Sequence, residues 1–339
     1  MASLVKSVPG VTAKALSTLG HAFLTAESAN PARILTQQRA DNRWQEMPAW
    51  RFFRQVVRVG LYLRERARLA AGDNVVTILP PCTERLVVQW AVVAQGGVIA
   101  TLDPGLTDAA LGSALGQVTP RVAFVGGSLD GRRVVQLART ATLVALDEQG
   151  KSWGSTSTWP EVLDLGGTLD TAERAQSFRA QARALGPEMP AVYPAIGPHD
   201  RSPQKTVSHG EMAVLLEDFA RRVPANDGDV AYVVEGQPAA GHATPLWSFV
   251  ADGRTRIAFG DTAHEAQDIA EIRPHLLVSP RDFARRATAA GANRGRSWSV
   301  ARKVERLPLL ASLVAPLLPR QRELERLPRT LTLEGVLFD

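Results

Sequence analysis

The chain has 339 residues, of which 45% are hydrophobic and 22% are charged. This balance excludes a wholly disordered chain and allows one large domain or two smaller ones. The 39 basic residues exceed the 34 acidic ones, for a formal net charge of +5. Nucleic-acid binding is not favoured, because no DNA-binding motif and no aromatic interleaving accompany the basic residues. A mildly basic surface near anionic lipid stays an alternative.

The cysteine and histidine content gives no metal site. Cys82 is the single cysteine, so an intrachain disulfide and a thiolate metal site are excluded, and we expect a buried, inert thiol. His199, His264 and His275 lack metal-ligand spacing. The N-terminus lacks the long apolar stretch of a secretory signal, and no run of about 18 apolar residues occurs. We therefore expect a cytoplasmic protein, with peripheral membrane contact as an alternative.

Short apolar runs alternate with helical patterns along the first half of the chain. A long amphipathic helix is predicted over residues 50–73, closed by Gly72. Apolar spacing and capping residues predict helices over 83–97 and 107–118. The β-branched runs predict strands, which are residues 75–79, 98–102, 121–125 and 142–146.

A second series of the same kind follows a polar, glycine-rich stretch over residues 147–190, which is the best internal boundary. Strands are predicted at 229–234, 255–259 and 275–279, and helices at 209–222, 263–272 and 281–290. The alternation predicts an α/β fold of mostly parallel sheets flanked by helices. We expect an N-terminal extension (1–45), a first α/β subdomain (46–185) and a second one (186–339).

Several stretches in the same order resemble the adenylate-forming (AMP-binding) superfamily, most closely the long-chain acyl-CoA synthetases. They are GDNVVTIL (72–79), QGGVIATLDPGL (95–106), SHGEM (208–212), GDVAYVVEGQPAAGH (228–242) and EIRPHLLVSPRDFARR (271–286). The resemblance extends over about residues 46–339. It implies the fold of the large N-terminal domain of acyl-CoA synthetases, and a chemistry in which a carboxylate attacks the α-phosphate of ATP.

That chemistry needs a loop of glycine, serine, threonine and lysine around the phosphates, because negative charge gathers in the transition state. The corresponding stretch here is YPAIGPHDRSPQKTVSH (193–209). Its prolines remove backbone donors. Asp200 adds a negative charge, which repels a phosphate at 4 Å by about 4 kcal/mol per unit charge at an effective dielectric constant of ~20.

Two interpretations of this loop stay open. The favoured one is a proline-rich surface loop that binds no nucleotide. In the other, Arg201, Ser202 and Lys205 form a residual anion site, which the resemblance implies for ATP or AMP. The same resemblance places His242 near an acyl pocket, although a capping or surface histidine is favoured there. His209 is predicted to begin the helix after the loop in a structural role.

The resemblance also implies that the chain lacks the C-terminal lid domain, with its catalytic lysine, beyond Asp339. We therefore expect a degenerate acyl-CoA synthetase-like domain that is non-catalytic and has a scaffold, acyl-ligand or partner-binding role. The alternative is a genuine or split fatty-acid–CoA ligase, for which ATP and Mg²⁺ would be needed. The apolar segment 307–319 is interpreted as a core or subunit-facing helix, or as a peripheral membrane contact. An exposed final strand would favour a homodimer.

Overall fold

The structure is a computed structural model, and it describes residues 16–40, 43–138, 142–194, 205–233, 243–260, 264–279 and 329–332. These residues form two sheets with helices packed around and between them. Each sheet is parallel apart from one antiparallel strand at an edge. The predicted fold class, mostly parallel sheets flanked by helices, is confirmed.

The first sheet has seven strands in the order β7-β6-β5-β3-β4-β8-β9. The strands are β3 (Asn74–Ile78), β4 (Val98–Thr101), β5 (Val122–Val125), β6 (Thr142–Ala145), β7 (Ser157–Thr158), β8 (Pro190–Val192) and β9 (Val207–Ser208). Its central strands β3 and β5 are apolar and buried, as expected for parallel strands covered on both faces. All four strands predicted in the first half of the chain lie in this sheet.

The second sheet has six strands in the order β13-β12-β10-β11-β1-β2. The strands are β1 (Ile34–Ala40), β2 (Arg43–Pro48), β10 (Val230–Val233), β11 (Arg256–Phe259), β12 (Leu276–Ser279) and β13 (Arg329–Thr332). Strand β1 lies parallel to β11, with Thr36 opposite Ile257. An early segment of the chain therefore belongs to the sheet of the late segments, while the division into domains at residues 45 and 185 stays a prediction.

The helices follow the strands and build a shared core. They are α1 (Leu19–Ser28), α2 (Ala49–Glu65), α3 (Thr83–Ala94), α4 (Asp108–Val118), α5 (Ser128–Leu137), α6 (Trp159–Leu169), α7 (Ala172–Ala184), α8 (His209–Arg222), α9 (Ala243–Asp252) and α10 (Glu265–Ile272). Helix α1 contacts α3, α8 and α9, and one apolar cluster contains Leu35 of the second sheet and Val75 of the first. The two sheets are thus joined by a continuous core.

Two sequence predictions change at this level. The helix predicted over residues 50–73 ends at Glu65, because the chain turns through Arg68 in the left-handed conformation (φ 56°) and Leu69 N–H donates to the Leu63 carbonyl. Gly72, also left-handed (φ 84°), serves the turn before β3 instead.

The stretch 147–190 contains α6 and α7 despite its weak periodicity. A capping box between Thr158 and Glu161 begins α6. Both helices bury small residues on their contact faces, among them Gly166 and Ala182, so the apolar period is hard to see in the sequence.

Gly166 lets α6 approach the backbone of α2 closely. A Cβ atom at this position would overlap the carbonyl oxygen of Arg58 in α2. We expect Gly166→Ala to lower the free energy of unfolding by about 2 kcal/mol, since the rigid backbone of α2 must move. Urea unfolding measures this loss, and Gly116→Ala, where a Cβ meets open space within α4, is the matched control. Equal stability of both variants would contradict the close packing of α6 on α2.

Candidate functional site

The segment that resembles the phosphate loop connects two paired strands of the first sheet. Strand β8 lies parallel to β4, and Val192 of β8 lies opposite Val207 of the antiparallel β9. Tyr193 begins the connection: its N–H donates to the Ile99 carbonyl at 2.8 Å and its ring packs on the apolar cluster of the first sheet. The connection therefore starts at the carboxyl end of a parallel strand, which is where α/β sheets bind ligands.

A capping box begins the helix on the other side of the connection. The Ser208 hydroxyl accepts a hydrogen bond from the Glu211 N–H, and the Ser208 N–H donates to the Glu211 carboxylate at 2.7 Å. This hydrogen bond from the Ser208 backbone lowers the pKa of Glu211, and the charge of Lys205 adds to the effect. The N–H groups of His209 and Gly210 donate to the carbonyls of Met189 and Pro187, so the first N–H groups of α8 are all satisfied by the chain itself.

His209 is the first residue of α8, as the sequence predicts. Its side chain is fully buried, and neither ring nitrogen has a hydrogen-bond partner among the described residues. Burial lowers the pKa of His209 to about 4, so the ring is neutral at physiological pH. A neutral ring enclosed by apolar atoms gives His209 a structural role.

Of the predicted site residues, the structure describes Lys205 alone. Lys205 is exposed and precedes β9. Arg201, Ser202 and His242 lie outside the described residues, as do the predicted helix at 281–290 and the segment 307–319. The residual anion site and the acyl-pocket histidine therefore stay predictions.

A separate pocket of about 370 Å³ opens at the carboxyl ends of strands from both sheets. Residues at or just after the ends of β1, β5, β6 and β11 line it, together with the turn between β3 and α3 and the start of α6. We call it the crevice pocket. The sequence reasoning missed it because β1, which was assigned to the N-terminal extension, supplies one of its walls.

Hydrogen bonds beside the crevice pocket join β1 of the second sheet to the start of α3. Gln38 of β1 donates to the Glu84 carboxylate at 3.1 Å and accepts from the Thr83 N–H at 3.0 Å. The Thr83 hydroxyl donates to Thr36 at 2.9 Å. The N-terminus of α3 is therefore fixed on β1, which also holds the carboxylate of Glu84.

Cys82 lies in the lining of the crevice pocket and caps α3, with its sulfur accepting from the Arg85 N–H at 3.4 Å. Burial raises the pKa of the Cys82 thiol to about 12. The thiol is therefore protonated at neutral pH and unreactive, which agrees with the expected inert cysteine.

Within the described ranges, no group of three or more histidine, cysteine or acidic side chains is arranged to hold a metal ion. Over the same residues, no helix is both long enough and apolar enough to cross a membrane.

The two sheets with their central helices have the fold of the large N-terminal domain of adenylate-forming enzymes. The model of the AMP-binding enzyme family matches residues 30–232. This chain belongs to the AMP-binding enzyme family. No curated protein sequence gives a significant match.

Solved structures with the same fold include VinN in complex with L-aspartate, with a TM-score of 0.65 and 15% identity over 83% of this chain and 67% of VinN. Apo MatB from Rhodopseudomonas palustris has a TM-score of 0.59 and 18% identity over 79% of this chain and 50% of MatB. Fatty acyl-adenylate ligase from L. pneumophila, in complex with acyl adenylate and pyrophosphate, has a TM-score of 0.59 and 12% identity. The match covers 78% of this chain and 44% of the ligase. The share of these three proteins that the chain spans therefore ranges from 67% for VinN to 44% for the ligase.

Proposed function

We propose that this chain is a non-catalytic member of the AMP-binding enzyme family, whose scaffold binds an acyl ligand or a protein partner without forming an adenylate. The observation that carries the proposal is the amino-acid sequence of the connection between β8 and β9. Its ends are held by the pairing of β8 with β4 and β9. Its sequence does not supply the donors that a triphosphate requires.

The donor set does not fit a bound nucleotide. Pro194, Pro198 and Pro203 each remove a backbone N–H from the connection. Asp200 adds a negative charge, which repels a phosphate group. At the start of α8, the Ser208 N–H donates to the Glu211 carboxylate, and the N–H groups of His209 and Gly210 donate to backbone carbonyls. Phosphate binding at a helix terminus depends on free N–H groups and on positive potential, and both are reduced here.

The proposal predicts that adenylation is absent. We expect pyrophosphate release at background level when the chain is incubated with ATP, Mg²⁺, palmitate and coenzyme A, because stabilisation of the phosphate charge supplies most of the rate in such reactions. Isothermal titration is expected to show no ATP binding at millimolar concentration.

Lys205→Ala tests the alternative of a genuine or split ligase. If Lys205 holds phosphate, pyrophosphate release exceeds background and falls about a hundredfold in Lys205→Ala. Lys151→Ala is the matched control, since Lys151 is exposed, lies in the turn after β6 and is paired with Glu161 of α6 at 2.8 Å. Pyrophosphate release that depends on Lys205 and not on Lys151 would contradict the non-catalytic proposal and show that the chain acts as a ligase.

A further inference from the structure

The lining of the crevice pocket contains no residue of the segments that resemble the adenylation site. Those segments follow β8 and β10, whereas the pocket is lined from the ends of β1, β5, β6 and β11. In the second sheet, β11 and β1 lie on one side of β10, and β12 and β13 lie on the other. In the first sheet, β3 and β4 separate β5 from β8. The lining residues of the crevice pocket therefore belong to neither of those segments.

The charged groups of the pocket favour a cation. Arg39 is the one basic residue in the lining formed by described residues, and it is already engaged. Its guanidinium bonds the Asp268 carboxylate at 2.6 Å and that of Glu271 at 2.9 Å, and it lies over the Trp44 ring at 5.0 Å. The two carboxylates neutralise the guanidinium of Arg39, so it attracts an anionic ligand only weakly.

Two acidic residues, Glu84 in the first turn of α3 and Asp147 just after β6, line the pocket. Glu84 accepts from the neutral amide of Gln38, and Asp147 accepts from the Gly150 N–H as the cap of a 3₁₀ turn (Glu148–Trp153). Neither carboxylate has an ion-pair partner among the described residues. A positively charged ligand would gain a charge-assisted hydrogen bond that the protein itself does not make.

Several of the other lining residues are apolar, and the volume suits a small organic molecule. These apolar residues are Pro81, Leu146, Trp159 and Phe259. A cavity of about 150 Å³ holds a benzene molecule, so 370 Å³ has room for an aromatic ring and a short chain. Aromatic faces also attract an ammonium ion. A bare divalent metal ion is disfavoured, because the described residues offer no cluster of three ligands.

We propose that the crevice pocket binds a small organic ammonium ion, consisting of a protonated primary amine on an apolar or aromatic body. The ammonium group lies between the carboxylates of Glu84 and Asp147, and the body packs on Leu146 and Trp159. This site is independent of adenylation and of the proposed non-catalytic role, since no nucleotide or acyl group takes part.

The test compares two probes of matched shape and opposite charge, phenethylammonium and 3-phenylpropionate, by isothermal titration with the full chain. We expect phenethylammonium to bind at least tenfold more tightly than 3-phenylpropionate, since only the cation is complementary to the two carboxylates. Raising the salt concentration should weaken the binding of the cation. Equal affinity for both probes, or no saturable binding of phenethylammonium up to 10 mM (roughly the weakest affinity of interest on the millimolar scale), would overturn the proposal.

Substitutions locate the ammonium group. Glu84→Gln keeps the acceptor for Gln38, and Asp147→Asn keeps a good capping residue, so both variants preserve the shape of the pocket. We expect the affinity for phenethylammonium to fall about tenfold in Glu84→Gln and about threefold in Asp147→Asn. Asp164→Asn makes the same charge change at an exposed site in α6 and should leave the affinity unchanged. Thermal unfolding verifies that each variant is folded, and Asp147→Asn alone decides the proposal if Glu84→Gln does not fold. Unchanged affinity in a folded variant of either carboxylate would refute the assignment.

Discussion

Asp268→Asn is expected to lower the free energy of unfolding by about 3 kcal/mol, because it removes the buried partner of a charged side chain. The Asp268 side chain has no exposed area and that of Arg39 is 6% exposed. Their atoms approach to 2.6 Å, and the Tyr232 hydroxyl donates to the second carboxylate oxygen at 3.2 Å. Gly260 closes this cluster, since a Cβ there would overlap both the Tyr232 oxygen and the carboxylate. Chemical denaturation of the variant and of the parent chain measures the loss.

Glu271→Gln is the matched control for this prediction. Glu271 bonds the same guanidinium at 2.9 Å but is 50% exposed, so its loss should cost less than about 1 kcal/mol. A double variant, Arg39→Leu with Asp268→Leu, is expected to be more stable than Arg39→Leu or Asp268→Leu alone, since neither charge is then left unpaired in the core. Equal losses for Asp268→Asn and Glu271→Gln would show that burial of the pair does not determine its strength.

This ion pair illustrates what the sequence could not reveal. Arg39 and Asp268 are separated by 229 positions along the chain and meet because β1 enters the second sheet beside β11. Strand β1, ILTQQRA, is largely polar and begins near the N-terminus, so neither its class nor its partner follows from local pattern. The crevice pocket was missed for the same reason, because it forms only when β1 lies beside the ends of strands from the other sheet.

The features that the sequence did predict depend on local chemistry. The apolar runs of β3 to β6 fill a doubly covered parallel sheet and are recognisable by composition alone. Helix α8 begins at His209, as predicted, because Ser208 and Glu211 have the spacing of a capping box. In the phosphate-loop segment, the sequence shows which donors are missing, and the strand pairing shows where the loop begins and ends. The burial of the His209 ring depends on residues that are far away in the sequence. The sequence therefore predicts that His209 begins α8, but it does not predict the protonation state of the ring.

His209 is expected to make the fold sensitive to mild acid. Its pKa is about 4 in the folded chain because the ring is buried, whereas an unfolded histidine titrates near pH 6.5. Between pH 6.5 and 4, His209 is therefore protonated in the unfolded chain and neutral in the folded chain. The stabilisation is fully present above pH 6.5 and is lost as the pH falls towards 4, by about 3 kcal/mol in total. Urea unfolding at half-unit steps from pH 7.5 to 4.5 measures this loss.

His209→Leu isolates the contribution of this side chain from that of the carboxylates that titrate below pH 5. The leucine removes two buried nitrogens that have no partner among the described residues, so we expect a change of less than about 1 kcal/mol at pH 7.5. The decline between pH 6.5 and 4.5 should be shallower than in the parent chain by about 2 to 3 kcal/mol. His275→Gln is the matched control, because the His275 side chain is 55% exposed and its removal should leave the decline in place. The same slope in His209→Leu as in the parent chain would mean that the folded state accommodates a charged ring at position 209. Helix α8 would then have access to water at its first turn, directly after the connection that resembles the phosphate loop.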